Sequence, residues 1–193
     1  MRFAIVGFGN AARTIHYPAL RKLPEAKCVG IFDESPGDAP SGAPRFDSLD
    51  RMLAVARPDV LVVSTPPSSH FAIAERGLRA GCHVFCEKPL TETLAESDAL
   101  VALSAAAGKH VVVNSEFPWM TTHAAAKKRM AQPGFGALRF VSMHQTFFVT
   151  EETEKGWRGA GQNRTFKEFG THVLDLASFF FDADPISVRS RMP

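Results

Sequence analysis

The first 114 residues alternate short, almost wholly apolar runs with longer amphipathic stretches. The apolar runs predict strands at 2–6, 27–32, 59–64, 83–87 and 110–114. The stretches between them predict helices at 11–23, 48–56, 71–80 and 94–107, and the Pro- and Gly-rich segment 34–44 predicts a loop. Because strands without a polar face are buried on both sides, the pattern indicates an α/β fold, a doubly wound parallel sheet with helices on both faces.

The alternation of short apolar runs and amphipathic stretches ends at residue 114. A helix is predicted at 120–130, followed by a break at Pro133 and Gly134 and a long β-rich run at 137–149. A glycine-bearing loop at 156–161, a strongly apolar helix at 167–181 and a short strand at 186–189 come next. This order predicts two domains, residues 1–117 and 118–193, of which the second is a partial α+β domain with an antiparallel sheet.

Composition and charge narrow the classes of function. The chain has 193 residues, 45% of them hydrophobic, and a formal net charge of +2, which disfavours nucleic acid as a partner. Its apolar runs have the length of strands, whereas a spanning helix needs about 20 apolar residues, so no membrane role is expected. Three cysteines and no recognisable signal peptide favour a cytoplasmic location.

A glycine motif lies between the first predicted strand and the first predicted helix. It has the form GxGxxA and consists of Gly7, Phe8, Gly9, Asn10, Ala11 and Ala12. The first glycine of such a turn permits the tight bend, the second lets the backbone approach a pyrophosphate, and the small third residue allows close helix packing. The helix N-terminus attracts the phosphate charge. A tight turn in an unrelated strand–helix unit is the alternative.

Asp33 supports the nucleotide-binding interpretation, because it ends the second predicted strand, 21 residues beyond Ala12. A carboxylate there accepts hydrogen bonds from the free ribose hydroxyls, whereas a 2′-phosphate would bring like charges together. Glu34 adds to that repulsion, and the next basic residue is Arg45. The sequence therefore predicts NAD as the cofactor, with NADP disfavoured.

Two further loops follow the third and fourth predicted strands, at the edge where doubly wound sheets bind ligands. The first contains Thr65, Pro66 and His70 in a TPxxxH pattern, and the second contains Glu87 and Lys88 in an EKP tripeptide. With GxGxxA before them, these motifs resemble the glucose–fructose oxidoreductase / inositol dehydrogenase / MocA (Gfo/Idh/MocA) family of NAD(P)-dependent oxidoreductases. The resemblance implies that residues 1–117 form a Rossmann-type domain whose three motifs contact the cofactor.

The resemblance also implies a catalytic set. Lys88 and His172 are expected to act on a secondary alcohol or ketone of a sugar, cyclitol or similar small molecule, with hydride passing to or from nicotinamide. The family has Asp four residues before this His, where this chain has Glu168. On a helix, positions four apart share a face, so Glu168 is expected to orient His172.

Other interpretations of these residues stay open. Lys88 is either catalytic or a solvated loop lysine, and His172 is either catalytic or a core histidine. Cys82 and Cys86 lack zinc spacing and are expected to be buried thiols, so no metal site is predicted. The whole chain is either an oxidoreductase or a nucleotide-binding sensor or subunit without turnover. Its apolar second part predicts a homo-oligomer formed through the C-terminal sheet.

Overall fold

The computed structural model of the protein describes residues 1–35, 40, 42–146, 169–189 and 191. The chain divides into two compact units, Met1–Asn114 and Ser115–Pro193. Each unit is described by itself below.

The first unit contains a parallel sheet, which confirms the predicted α/β class. In the described residues the sheet has six strands, in the order β3-β2-β1-β4-β5-β6, and every neighbouring pair is parallel. The strands are β1 Arg2–Val6, β2 Lys27–Phe32, β3 Arg45–Phe46, β4 Val60–Val63, β5 His83–Cys86 and β6 Val111–Val113. Five of them were predicted; β3 is an additional edge strand of two residues that directly follows the predicted loop.

Helices connect these strands. A π-helical segment, Ala12–His16, runs into α1, Tyr17–Leu20, and is followed by α2 Leu49–Ala56, α3 His70–Arg79 and α4 Leu94–Ala107. Side chains fix where two of the helices begin. Ser48 accepts the Arg51 N–H at the start of α2, and Thr93 and Glu96 form a capping box at the start of α4.

The core of the first unit lies on both faces of the sheet. Ala4 and Val6 pack on one face in a cluster that includes residues of α2, α3 and α4. Ile5, which lies between them in β1, points to the other face and packs with Phe8 and Ala12 of the first strand–helix turn. Successive residues of a strand point to opposite faces, so this division shows the helices on both sides of a doubly wound sheet.

The second unit is helical where the structure describes it. After a 3₁₀ turn at Phe117–Trp119 come α5, Thr121–Met130, and α6, Thr171–Phe181. Lys127 Nζ donates to the Phe179 and Phe180 carbonyls at 2.6 and 3.1 Å and lies 2.6 Å from Asp182 Oδ2. One ammonium therefore links α5 to the C-terminal end of α6. None of the helices in the described ranges is long and apolar enough to cross a membrane.

The predicted antiparallel sheet of the second unit is wrong for the described residues. Residues 137–146 and 186–189 adopt no strand there, while residues 147–149 and the loop at 156–161 lie outside the described ranges. Ile186 is fully exposed, at 103% relative accessibility. A β-rich sequence becomes a strand only when a neighbour supplies ladder hydrogen bonds and a packed face, so β-propensity alone overestimated these segments.

Candidate active site

The first glycine of the motif is required by a close approach between two loops. Gly7 follows β1 directly, has φ +81°, and donates its N–H to the Phe32 carbonyl at 2.9 Å. An added Cβ would lie 2.5 Å from the Ser64 carbonyl oxygen, which follows β4. Any side chain here would push apart the ends of the two central strands.

The second glycine faces open space. A Cβ added at Gly9 would meet no atom within 4 Å, whereas Ala12, three residues on, is fully buried. Asn10 and Ala11 lie in the first turn of the helix, where backbone N–H groups have no preceding turn to bond to. Open space before a helix N-terminus fits a pyrophosphate, so the residues present fit a dinucleotide.

Asp33 directly follows β2 and holds the glycine loop. Its Oδ2 accepts the Phe8 N–H at 2.5 Å, and its Oδ1 accepts the Ser35 N–H at 2.7 Å. Arg45 Nη2 donates to the Ser35 carbonyl at 2.7 Å. The first basic residue after Asp33 in the sequence thus reaches the same turn, a contact that the sequence did not predict.

The TPxxxH loop is fastened internally. Ser69 Oγ lies 2.7 Å from Thr65 Oγ1 and 2.9 Å from the Pro66 carbonyl. The ring of His70 is fully buried, with Nε2 2.8 Å from the Thr65 carbonyl and Nδ1 2.9 Å from the Pro89 carbonyl. His70 therefore links the TPxxxH loop to the EKP loop, and its predicted contact with the cofactor stays a prediction.

Glu87 lies in a polar cluster behind the EKP loop. Its Oε1 accepts from Asn114 Nδ2 at 2.9 Å and lies 2.7 Å from His16 Nε2, while its Oε2 accepts the Lys88 N–H at 3.3 Å. Burial raises the pKa of Glu87, but the hydrogen bonds from His16 and Asn114 and the charges of His16 and Lys88 outweigh burial and lower it overall. Glu87 is therefore an ionised, inward-facing carboxylate.

Lys88 follows Glu87 at the carboxyl edge of the sheet. Its side chain is half-buried, and its peptide bond to Pro89 is cis. The lysine thus lies in a segment whose two flanking residues are both bonded to other loops, Glu87 on one side and Pro89 on the other.

His172 lies on α6 of the second unit and is 3% exposed. Its ring stacks on Phe117, with centroids 4.2 Å apart and planes 8° from parallel, and its Nε2 lies 3.9 Å from Glu116 Oε1. Glu168 lies outside the described residues, so its predicted pairing with His172 stays a prediction. Within the described part of this unit, Glu116 is a carboxylate that approaches the ring.

Sequence reasoning missed several of these partners. His16 lies within the predicted helix 11–23 and Asn114 at the end of the predicted strand 110–114, but neither they nor Glu116 were predicted as site residues. Asn114 carried a usable signal, because it is a polar residue directly after a buried strand at the ligand-binding edge. Ser115 Oγ donates to Asp175 Oδ2 at 2.6 Å. No sequence signal indicated this contact, because the two residues are 60 apart in the chain.

The cysteines show no sign of metal chemistry in the described structure. Cys82 and Cys86 are both buried, and burial raises the pKa of each thiol. Among the residues that the structure describes, no three His, Cys, Asp or Glu side chains form a group able to hold a metal ion. These two residues behave as small apolar core side chains.

The six-stranded parallel sheet and its glycine loop agree with a family comparison. Residues 1–115 match the GFO_IDH_MocA model, described as an oxidoreductase family with an NAD-binding Rossmann fold. The chain belongs to the Gfo/Idh/MocA family. This membership covers the first unit and confirms the resemblance carried by the three motifs.

Relatives within the Gfo/Idh/MocA family extend the match beyond the first unit. UDP-N-acetylglucosamine 3-dehydrogenase of Acidithiobacillus ferrooxidans is 29% identical over 98% of this chain and 57% of its own length. The crystal structure of the probable oxidoreductase yhhX is 28% identical, with a TM-score of 0.82 over 94% of this chain and 54% of its own. The WlbA dehydrogenase of Chromobacterium violaceum, solved with NADH and UDP-GlcNAcA, is 26% identical, with a TM-score of 0.80 over 93% and 55%. The chain thus spans little more than half the length of these relatives.

Proposed function

We propose that the protein is an NAD-dependent oxidoreductase that transfers hydride between nicotinamide and a secondary alcohol or ketone of a sugar, cyclitol or similar small polar molecule. The observation that carries the proposal is the carboxyl edge of the first unit's sheet. There the glycine loop follows β1, Asp33 follows β2, and Lys88 follows β5. Doubly wound sheets bind dinucleotides at this edge, and family membership supports NAD as the one bound.

Different residues of the first unit would hold different parts of the cofactor. The turn from Gly7 to Ala12 would hold the pyrophosphate against the helix N-terminus, and Asp33 would accept hydrogen bonds from the adenosine ribose. The nicotinamide supplies the hydride chemistry, so the protein is left to bind, orient and exchange a proton. We propose NAD over NADP because a 2′-phosphate would lie against the Asp33 carboxylate, although Arg45 reaches the same turn.

Lys88 and His172 have separate proposed roles. Lys88, an ammonium with three N–H donors, would hydrogen-bond the substrate oxygen and stabilise the alkoxide that develops there. His172 would exchange the proton, because imidazole changes charge near neutral pH. Glu168 would orient His172, and the nearby Glu116 is a second carboxylate suited to that task.

The test of this function compares two lysines. Lys88→Met keeps the length of the side chain and removes the ammonium, so turnover should be abolished while NADH binding, followed by fluorescence titration, is nearly unchanged. Lys22→Met is the matched control, since Lys22 is an exposed lysine of the same unit. The substrate panel contains polyols and keto-sugars. It also contains UDP-N-acetylglucosamine, because one relative is a UDP-N-acetylglucosamine 3-dehydrogenase. NADH and NADPH are titrated in parallel.

The competing function is nucleotide binding without turnover, as in a sensor or a non-catalytic subunit. It predicts NADH binding with no oxidation or reduction of any compound in the panel. If Lys88→Met turns substrate over as fast as the wild type, the proposed oxidoreductase activity stands but the proposed role of Lys88 is wrong. Homo-oligomerisation stays a prediction, and size-exclusion chromatography with light scattering tests it.

A further inference from the structure

The segment that carries Lys88 is bonded on both sides to buried histidines. On the Pro89 side, His70 Nδ1 lies 2.9 Å from the Pro89 carbonyl, and the same ring reaches the Thr65 carbonyl. On the Glu87 side, His16 Nε2 lies 2.7 Å from Glu87 Oε1. The backbone around Lys88 is therefore held after it by His70 and before it through Glu87.

Glu87 is held by contacts that leave its carboxylate facing the protein. The His16 and Glu87 side chains are 7% and 14% exposed, and Asn114 Nδ2 bonds the same oxygen that His16 approaches. The other oxygen accepts the Lys88 N–H at 3.3 Å. A carboxylate with both oxygens engaged in this way transmits the position of His16 to the backbone of the next residue.

His16 is well placed to be the fixed end of this chain of contacts. It lies in the helical segment that follows the glycine loop, and its ring packs edge-on against Phe85 of β5, with centroids 5.7 Å apart. Phe85 precedes Glu87 by two residues, so the ring is braced against the strand that carries the EKP loop. Removing the ring would release the Glu87 carboxylate on the His16 side.

We propose that His16 is a positioning residue for Lys88 and acts on it through Glu87. This rests on the proposed function, since it is the proposed contact of Lys88 with substrate that makes the position of the ammonium matter. Glu87 is then a link between helix and lysine rather than a ligand of the cofactor. A misplacement of a reacting group by about 1 Å costs about 100-fold in rate, and that is the loss expected in kcat when the link is broken.

The experiment compares two substitutions at one position in the full chain. His16→Leu removes the N–H donor and keeps an apolar side chain, whereas His16→Gln keeps an N–H donor that can reach Glu87. His110→Leu is the control, because His110 is exposed and lies before β6, at the opposite end of the strands from Lys88. Three quantities are measured: kcat and KM, the NADH dissociation constant, and the rate of Lys88 labelling by trinitrobenzenesulfonate, mapped by mass spectrometry.

His16→Leu is expected to lower kcat about 100-fold, with KM and NADH affinity little changed, and to speed Lys88 labelling. In His16→Gln, kcat and the Lys88 labelling rate should both return most of the way to their wild-type values. In His110→Leu, neither quantity should change. The proposal is overturned if folded His16→Leu keeps the wild-type labelling rate, or if His16→Gln is as impaired as His16→Leu.

The labelling rate needs no substrate, so it decides the proposal even if no compound in the panel is turned over. If His16→Leu does not fold, Glu87→Gln makes the same test from the other partner. Its amide oxygen can still accept from His16 and Asn114, but its NH₂ group would then face the Lys88 N–H, two donors together. Faster Lys88 labelling in Glu87→Gln supports the link, and wild-type labelling overturns it.

Discussion

The two units of this chain are stabilised in different ways. In the first, apolar side chains on both faces of the sheet are enclosed by helices, and Ile5 and Leu61 are fully buried. In the described part of the second, Leu176 is the single buried apolar side chain, and polar and aromatic contacts join its helices, such as those of Lys127 at the end of α6. The first unit is held by general burial of apolar area, whereas the described helices of the second depend on a few specific contacts.

Truncating one buried leucine to alanine in each unit gives the sharpest test of this difference. Leu61→Ala removes a fully buried side chain from the central strand β4 and should lower the free energy of unfolding by about 3–5 kcal/mol. Leu176→Ala should cost about 2 kcal/mol, because its half-exposed neighbours can close over the lost volume. Urea unfolding followed by circular dichroism measures both. Equal losses would break the comparison.

The ammonium at the end of α6 offers a smaller effect in the second unit. Lys127→Met leaves the Phe179 and Phe180 carbonyls without this donor and removes a cation from a helix C-terminus, so stability should fall by about 1 kcal/mol. Lys128→Met, an exposed neighbour on the same helix, is the control and should cost almost nothing. If the two variants have the same melting temperature, specific contacts are not what stabilise this unit.

The smallest expected effect is a loss of stability of the first unit at acid pH. The pKa of Glu87 is lowered in the folded state, so the unfolded chain binds more protons as the pH falls below the ordinary Glu value. Glu87 therefore contributes stability at neutral pH that is lost as the pH drops through its folded pKa. Urea unfolding of wild type and Glu87→Gln from pH 6 downward should show a steeper loss in the wild type. Parallel curves would show that Glu87 titrates alike in both states.

The fold of the first unit was largely predictable from its sequence. The strands β1 and β2 were predicted at the observed residues, because apolar runs buried on both faces leave little freedom in where a strand lies. The two-residue strand β3 was missed, since two residues are too few to show a period. At 137–146 the sequence carries β-propensity, but these residues adopt no strand and pair with no strand in the described part of the chain.

The candidate site was predictable where one motif contains its own contacts. The tight bend at Gly7 is one that the spacing of the motif already indicated, and the pyrophosphate contact of Gly9 stays a prediction. The contact of His16 with Glu87 joins residues 71 apart, and no local pattern records it. His70 illustrates the same limit, because its motif placed it near the cofactor while its two carbonyl partners lie on different loops.

The bond from the Phe8 N–H to Asp33 has a consequence for any attempt to shift the proposed cofactor preference of this protein toward NADP. Because an acid after the second strand opposes a 2′-phosphate, such an attempt would replace Asp33 with a small or basic residue. Here the same carboxylate holds the glycine turn, so under the proposed function such a replacement would loosen pyrophosphate binding while it admits the 2′-phosphate. The proposed role of Asp33 would thus couple cofactor preference to cofactor affinity through one side chain, and a redesign would need a second substitution that holds the Phe8 amide.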